Sequence, residues 1–256
     1  MSSAKIKLCV DAVAVADATA EFVIEVALHA VKERGVFHWC ATGGSTPAAL
    51  YAALREPTRS ARMPWEKSSI WFGDDRYVPR TDPLSNLASI DAVLLADRAG
   101  ALSPLHVAQI HPWPTNVPSP DDAVSAYLHE LYAAGVPTAA SGYPTFDLVM
   151  IGIGSDGHCL SVFPGSPLSL PEAPIAAGVP APTHIEPHVP RLSFSLGLLS
   201  AARAVCAVVV GSSKSVMLDK IMHGSEGVHE LPAKAALIPT ATWIVDQAAA
   251  ANLPRE

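Results

Sequence analysis

The sequence predicts a three-layer α/β/α protein built around a mainly parallel sheet, and three observations carry that expectation. Short apolar runs of strand composition, at residues 36–41 (VFHWCA), 69–72 (SIWF), 146–151 (FDLVMI) and 204–210 (AVCAVVV), alternate with longer segments of helical periodicity. Each run ends in a glycine-marked polar loop, and in an open parallel sheet the carboxyl ends of the strands are where ligands bind. Hydrophobic residues make up 50% of the 256-residue chain and charged residues 16%, which suits a large packed core and argues against intrinsic disorder. No linker, internal repeat or low-complexity block divides the chain, so residues 1–256 are expected to form a single domain.

The elements can be justified in order. Over residues 17–34 the pairs Phe22/Val23, Val26/Ala27 and Ala30/Val31 recur at helical spacing, and Gly35 follows as a C-terminal cap. The strand at 36–41 leads into Thr42-Gly43-Gly44-Ser45-Thr46-Pro47, with Thr46 placed as N-cap and Pro47 as the first residue of a helix reaching Leu54. Such a turn offers free backbone N–H groups at a helix N-terminus, which suits an anion. It is neither GxGxxG nor a P-loop with its Lys, so a small phosphate held by Gly43, Gly44, Ser45 and Thr46 fits better than a nucleotide. A plain strand-to-helix turn is the alternative this segment leaves open.

The strand at 69–72 ends in Gly73-Asp74-Asp75-Arg76, which is either a solvated loop or a second functional strand end. Residues 82–86 make a turn, 87–96 a helix, 105–110 a strand, and 121–134 a helix whose Val124, Tyr127, Leu128, Leu131 and Tyr132 form a core stripe. The run at 146–151 then delivers Asp156, Gly157 and His158 on a glycine-punctuated loop. Histidine is the side chain that titrates nearest neutrality, so this is the predicted centre of acid–base chemistry.

Prolines at 164, 167, 171, 174, 180, 182, 187 and 190 mark a long, partly extended loop bordering that centre. His184 and His188 have a zinc-compatible helical spacing, but Pro187 lies between them, and no metal site is expected. Arg191 opens an alternating strand, RLSFSL. The strand at 204–210 ends in Gly211-Ser212-Ser213-Lys214 before a helix to about residue 222. Lys214 there opposes the helix dipole, either as an ordinary exposed Lys or because an anion sits beside it. Residues 243–245 make the last strand.

A net charge of −7 offers no basic footprint for nucleic acid or anionic membrane, so an anionic substrate must be caught by a few local cations. Isolated cysteines at 9, 40, 159 and 206 fit a reducing cytoplasm. Asp11 and Asp17 interrupt the N-terminal apolar run before a signal-peptide core forms, and the most continuous apolar segment, 204–210, is too short to span a bilayer. A monomer and a small homo-oligomer are both compatible with the sequence.

Four segments together resemble the 6-phosphogluconolactonase family: ATGGSTPAALY at 41–51, WFGDDRYVPRTDPLSN at 71–86, IGIGSDGHCLSVFPGS at 151–166 and PRLSFSLGLLSAARAVCAVVVGSSKS at 190–215. The resemblance implies the fold type shared by glucosamine-6-phosphate deaminases and ribose-5-phosphate isomerases. It also implies cofactor-free hydrolysis of 6-phosphogluconolactone in the oxidative pentose phosphate pathway. Cys159, Leu160 and Val162 stand where that family commonly has Thr, Ala and Leu, and Asp75 where it has Glu.

On this footing His158 is expected to act as general base toward water and Asp156 to orient it. Arg76 would stabilise the developing charge or bind substrate, and Asp74, a proton-transfer group in the sibling deaminases, would hold a sugar hydroxyl or Arg76. Lys214 and Arg191 would close on the phosphate. Cys159 is an alternative nucleophile, or a small packed group. The rival functions are a sugar-phosphate isomerase or amino-sugar deaminase of the same fold, and a non-catalytic sugar-phosphate sensor, which would need a DNA-binding module that this sequence does not show.

Overall fold

The computed structural model describes residues 4–43, 45–97 and 103–254. The chain enters as an edge strand, β1 (Lys5–Cys9), four of whose five residues are exposed. Helix α1 (Ala12–Arg34) starts earlier than its apolar periodicity, because the Asp11 carboxylate accepts from the N–H of Ala14 at 2.8 Å and caps it. Gly35 ends it at φ 78°, as expected of a left-handed cap. Strand β2 (Phe37–Ala41) follows, and then α2 (Ser45–Leu54). Ser45 is already helical, so Thr46 and Pro47 are the second and third helical residues rather than cap and first. Proline is tolerated there because first-turn N–H groups have no intrahelical partner.

After the short α3 (Pro57–Ser60) come β3 (Ser68–Phe72) and, one residue later, β4 (Asp74–Arg76). Helix α4 (Leu87–Ile90) runs on as a π-turn over Asp91–Leu95. The strand expected at 105–110 is instead a 3₁₀ turn, Val107–Gln109, and only Ile110 bridges to the sheet, at Ile70. The Gln109 side chain overrides the strand pattern, accepting from the His106 N–H and donating to the carbonyls of Trp65 and Ser68. Helix α5 (Pro120–Ala133), capped by Ser119, leads to β5 (Leu148–Ile151). The proline-rich loop carries a strand of its own, β6 (Ala176–Val179), ahead of β7 (Arg191–Phe194). The chain closes with α6 (Gly197–Ala201), β8 (Val205–Val209), α7 (Ser215–His223) and β9 (Ala241–Asp246).

Six strands form one parallel sheet in the order β1-β9-β8-β5-β2-β3. Residues paired across parallel strands share a face, so Trp39 and Ile70 point one way and Cys40 and Trp71 the other. On the first face Trp39 meets the ring of Tyr51 in α2, beside α1. On the second, Trp71 meets Tyr127 of α5, and Trp243 donates to the Ala236 carbonyl beyond α7. Helices therefore cover both faces, giving the three layers.

The sequence does not disclose a small antiparallel sheet, β4-β7-β6. It lies on the α5 side, where Phe194 packs against Trp113, Tyr127 and Phe146, and one hydrophobic core runs through both sheets. Because the large sheet is parallel, the segments after β2, β3, β5 and β8 all emerge at one edge. No helix of the described residues is long and apolar enough to cross a membrane.

Candidate active site

Two glycines, Gly154 and Gly157, shape the loop after β5. A Cβ on Gly154 would collide with the His158 ring and lie 2.5 Å from Asp156 Oδ1, and Gly157 holds φ +85° with Leu231 and Met217 packed against it. The loop closes on itself through Gly154 N–H to the His158 carbonyl, 2.9 Å. Its product is a tight pair: His158 Nδ1 and Asp156 Oδ1 are 2.5 Å apart, both side chains largely buried. An ionised carboxylate can only accept, so His158 donates from Nδ1 and keeps Nε2 for another proton. Burial alone would raise the Asp156 carboxyl. The hydrogen bond and charge of His158, together with a hydrogen bond from His184, outweigh it and hold Asp156 well below the usual carboxylate range.

The next wall comes from β4. Asp74 is buried, and its Oδ2 accepts from the Ser161 hydroxyl at 2.6 Å. Ser161 reaches it because Leu160 turns the chain at φ 53°, a conformation that costs a bulky residue roughly 1–3 kcal/mol. The Leu160 side chain then fills the space opposite Gly73, where a Cβ would lie 2.5 Å from Leu160 Cδ2. Asp75 points away from this centre. Its carboxylate accepts from the N–H groups of Arg76 and Asn86 at 2.7 Å and from the Ser85 hydroxyl at 3.1 Å, yet burial pushes it up to about 6. The Asn86 amide donates to the Asp74 carbonyl, and Asn86 also lies directly against Gly43, where any Cβ would overlap it. The turn after β2 and the GDDR segment are thus joined by one side chain. Gly44 lies outside the described residues, as do the side chains of Ser45 and Thr46.

Three basic side chains from different elements share a property. Arg34, Arg59, Arg62, Arg80 and Arg203 are paired with carboxylates. Arg76, Arg191 and Lys214 instead donate to the backbone carbonyls of Leu84, Pro187 and Ile153. The β4–β7 register sets Arg76 opposite Arg191, and the Nε–H of each is buried without a partner among the described residues. Burial depresses Arg191 and Lys214; Asp74 and Asp156 act on Arg191, and Asp156 on Lys214, in the opposite sense. Cationic donors with spare N–H groups and no direct ion pair among the described residues are what an anionic, oxygen-rich ligand needs.

Sequence reasoning weighs His184 only as a metal ligand and passes over Ser161 and Asn86. His184 Nε2 lies 2.8 Å from Asp156 Oδ2, while His188 Nδ1 meets the Pro182 carbonyl, so the two imidazoles face different partners. An isolated histidine in a proline-rich loop carries no periodic signal. Cys159 is fully buried beside His158 with its thiol pushed far up by burial and then by Asp74, which removes the thiolate a covalent mechanism needs. Of two cavities, one of about 230 Å³ is lined mainly by apolar residues of α1, α2, β5 and β8, and one of about 420 Å³ is lined by Asp75, Ser85 and Trp113 among others. Neither is lined by Asp156 or His158, where the polar groups converge.

Residues 10–245 match the model of the family described as glucosamine-6-phosphate isomerases/6-phosphogluconolactonase. A 6-phosphogluconolactonase of Synechocystis is 35% identical over 88% of this chain and 88% of its own, and one of Streptomyces coelicolor 31% identical over 94% and 91%. In structure, a 6-phosphogluconolactonase from Trypanosoma brucei superposes with a TM-score of 0.83 at 23% identity, covering 99% of this chain and all of that one, a likeness of fold.

Proposed function

The chain belongs to the glucosamine-6-phosphate isomerase/6-phosphogluconolactonase family, and from that premise we propose that it is a carboxylic ester hydrolase opening 6-phospho-D-glucono-1,5-lactone to 6-phosphogluconate in the oxidative pentose phosphate pathway. The observation that carries the reading is the Asp156–His158 pair, with Nε2 left over, near Arg191 and Lys214 and, across the β4–β7 pairing, Arg76, none of which makes an ion pair among the described residues.

In the proposed reaction a water bonded to His158 Nε2 attacks C1 of the lactone while the imidazole takes its proton. Asp156 fixes the tautomer and stabilises the imidazolium. General-base assistance of this kind contributes typically about 10²- to 10⁴-fold. The carbonyl oxygen gains negative charge, and Arg76 offers the buried N–H group that meets it; one well-placed donor is worth about 10²- to 10³-fold. Collapse breaks the bond from C1 to the ring oxygen, which receives the proton from the imidazolium. The new carboxylic acid then ionises, so each turnover releases one proton. The phosphate is held by the Gly43–Thr46 turn with Lys214 and Arg191, and its binding energy orients the distant carbonyl. Asp74, fixed by Ser161, holds a sugar hydroxyl. We place this activity in the cytoplasm and in one domain spanning the chain.

Proton release from freshly generated 6-phosphogluconolactone, with the spontaneous rate subtracted, tests the proposal. His158→Ala is expected to lose at least about 10²-fold, and Cys159→Ala to stay near wild type. A Cys159 variant without activity beside an active His158 variant would overturn the assignment.

A further inference from the structure

The Asp156 carboxylate serves two imidazoles, one on each oxygen. His158 is bound to Oδ1 at 2.5 Å and His184 Nε2 to Oδ2 at 2.8 Å. The second histidine belongs to a different part of the chain, the proline-rich loop between β6 and β7, and half of its side chain is exposed. The two rings also share a wall: the Phe163 ring lies 4.7 Å from His158 and 5.6 Å from His184, with the Arg191 guanidinium 5.2 Å from the same ring. We propose that His184 is a positioning residue for His158, acting through Asp156, and that the loop bearing it is part of the active site.

Since a carboxylate only accepts, His184 must donate to Oδ2. That bond does two things. It fixes the carboxylate plane, so that Oδ1 stays directed at His158 Nδ1 rather than rotating between solvent and ring. It also draws negative charge from Asp156 and so limits how strongly Asp156 stabilises the protonated form of His158. A base must be unprotonated to take a proton from water, so a second donor on Asp156 keeps His158 usable to lower pH. Protonation of His184 would act in the same direction, by placing a cation on the far side of the carboxylate. The other charged groups near the pair are Lys214 and Arg191, both of which feel the charge of Asp156, and Asp74, which also acts on Arg191. In its own loop Glu186 is exposed and His188 is bound to the Pro182 carbonyl.

This inference rests on the lactonase reading for its kinetic consequences but not for its test in the resting protein. His184→Ala is exposed enough to fold, and His184→Gln keeps an N–H donor. In wild type and both variants, the His158 ring is titrated by NMR without substrate, and kcat and KM for 6-phosphogluconolactone are followed against pH. His184→Ala is expected to raise the His158 pKa by about half a unit to one unit. The acid limb of kcat should move up with it, and kcat should fall about tenfold with KM little changed. His184→Gln should restore most of each. An unmoved His158 titration in His184→Ala would overturn the proposal even if activity fell, because loss of loop order alone does not require that shift. A moved titration in a protein inactive toward the lactone would uphold the coupling and sink the substrate assignment instead.

Discussion

Replacing Gly154 with Ala adds one methyl group and should separate catalysis from stability. Gly154 is not among the residues at positive φ, so alanine meets no backbone penalty there. Its Cβ would nonetheless stand 2.5 Å from Asp156 Oδ1 and nearer still to His158 Nδ1 and Cε1, where ordinary contact begins near 3.4 Å. The backbone on one side is pinned by the Gly154 N–H to His158 carbonyl bond, so the rings and carboxylate must give way by about 1 Å. A misplacement of that size costs about 10²-fold in rate. Overpacking of one methyl costs about 1–3 kcal/mol, or roughly 2–12 °C in Tm for a chain of this length. We expect a folded, somewhat less stable protein with kcat lowered about 10²-fold or more, measured by proton release and by thermal melts on the same preparation. A variant that turns over within about threefold of wild type would show that the dyad geometry is not the one catalysis uses.

Two further substitutions report on the neighbouring walls. Gly43→Ala forces the turn after β2 away from Asn86, whose Cα and Cβ would lie 2.5 Å from the new methyl; steady-state kinetics should show KM raised about tenfold or more, with kcat falling less, and an unchanged KM would remove this turn from phosphate binding. Asp75 is held up to about 6 in the fold against an ordinary 3.8, so the stability it contributes is full below about pH 4 and is lost as pH rises through about 6. Asp75→Asn should therefore gain on wild type between pH 4 and 6, by up to about 3 kcal/mol in urea melts, and a difference of the opposite sign would refute the assignment.

What the sequence discloses follows from the range over which each feature is determined. The strand, glycines and His158 of the central loop lie within a dozen residues, and local pattern suffices to find them. Strand β1 escapes because its five residues are mostly exposed and two are lysines, so nothing in KIKLC announces burial. Strands β4 and β6 escape for a different reason. At three and four residues they have too little pattern of their own, and they exist because β7, far along the chain, pairs with both. His184 is the extreme case, since its role is set by where a proline-rich loop lands and not by any neighbour in sequence.

The electrostatics of the site resolve a difficulty raised by the composition. A chain of net charge −7 repels an anionic sugar phosphate at long range, but at physiological ionic strength that field is screened beyond about 8 Å. Capture is then decided within the site, where what matters is how much positive charge remains unneutralised. An arginine bound to a carboxylate contributes little there, however close it stands. By bonding Arg76, Arg191 and Lys214 to carbonyl oxygens, the fold keeps their charge available while fixing their direction. The two carboxylates of the site make their short bonds elsewhere, Asp74 with the Ser161 hydroxyl and Asp156 with two imidazoles, so among the described residues their charge reaches Arg191 and Lys214 without a direct ion pair. Each acid is occupied by a neutral or switchable donor, and on the proposed reading the cations are left for the substrate, with the second histidine on Asp156 part of that division of charge as well as of the proposed positioning of the base.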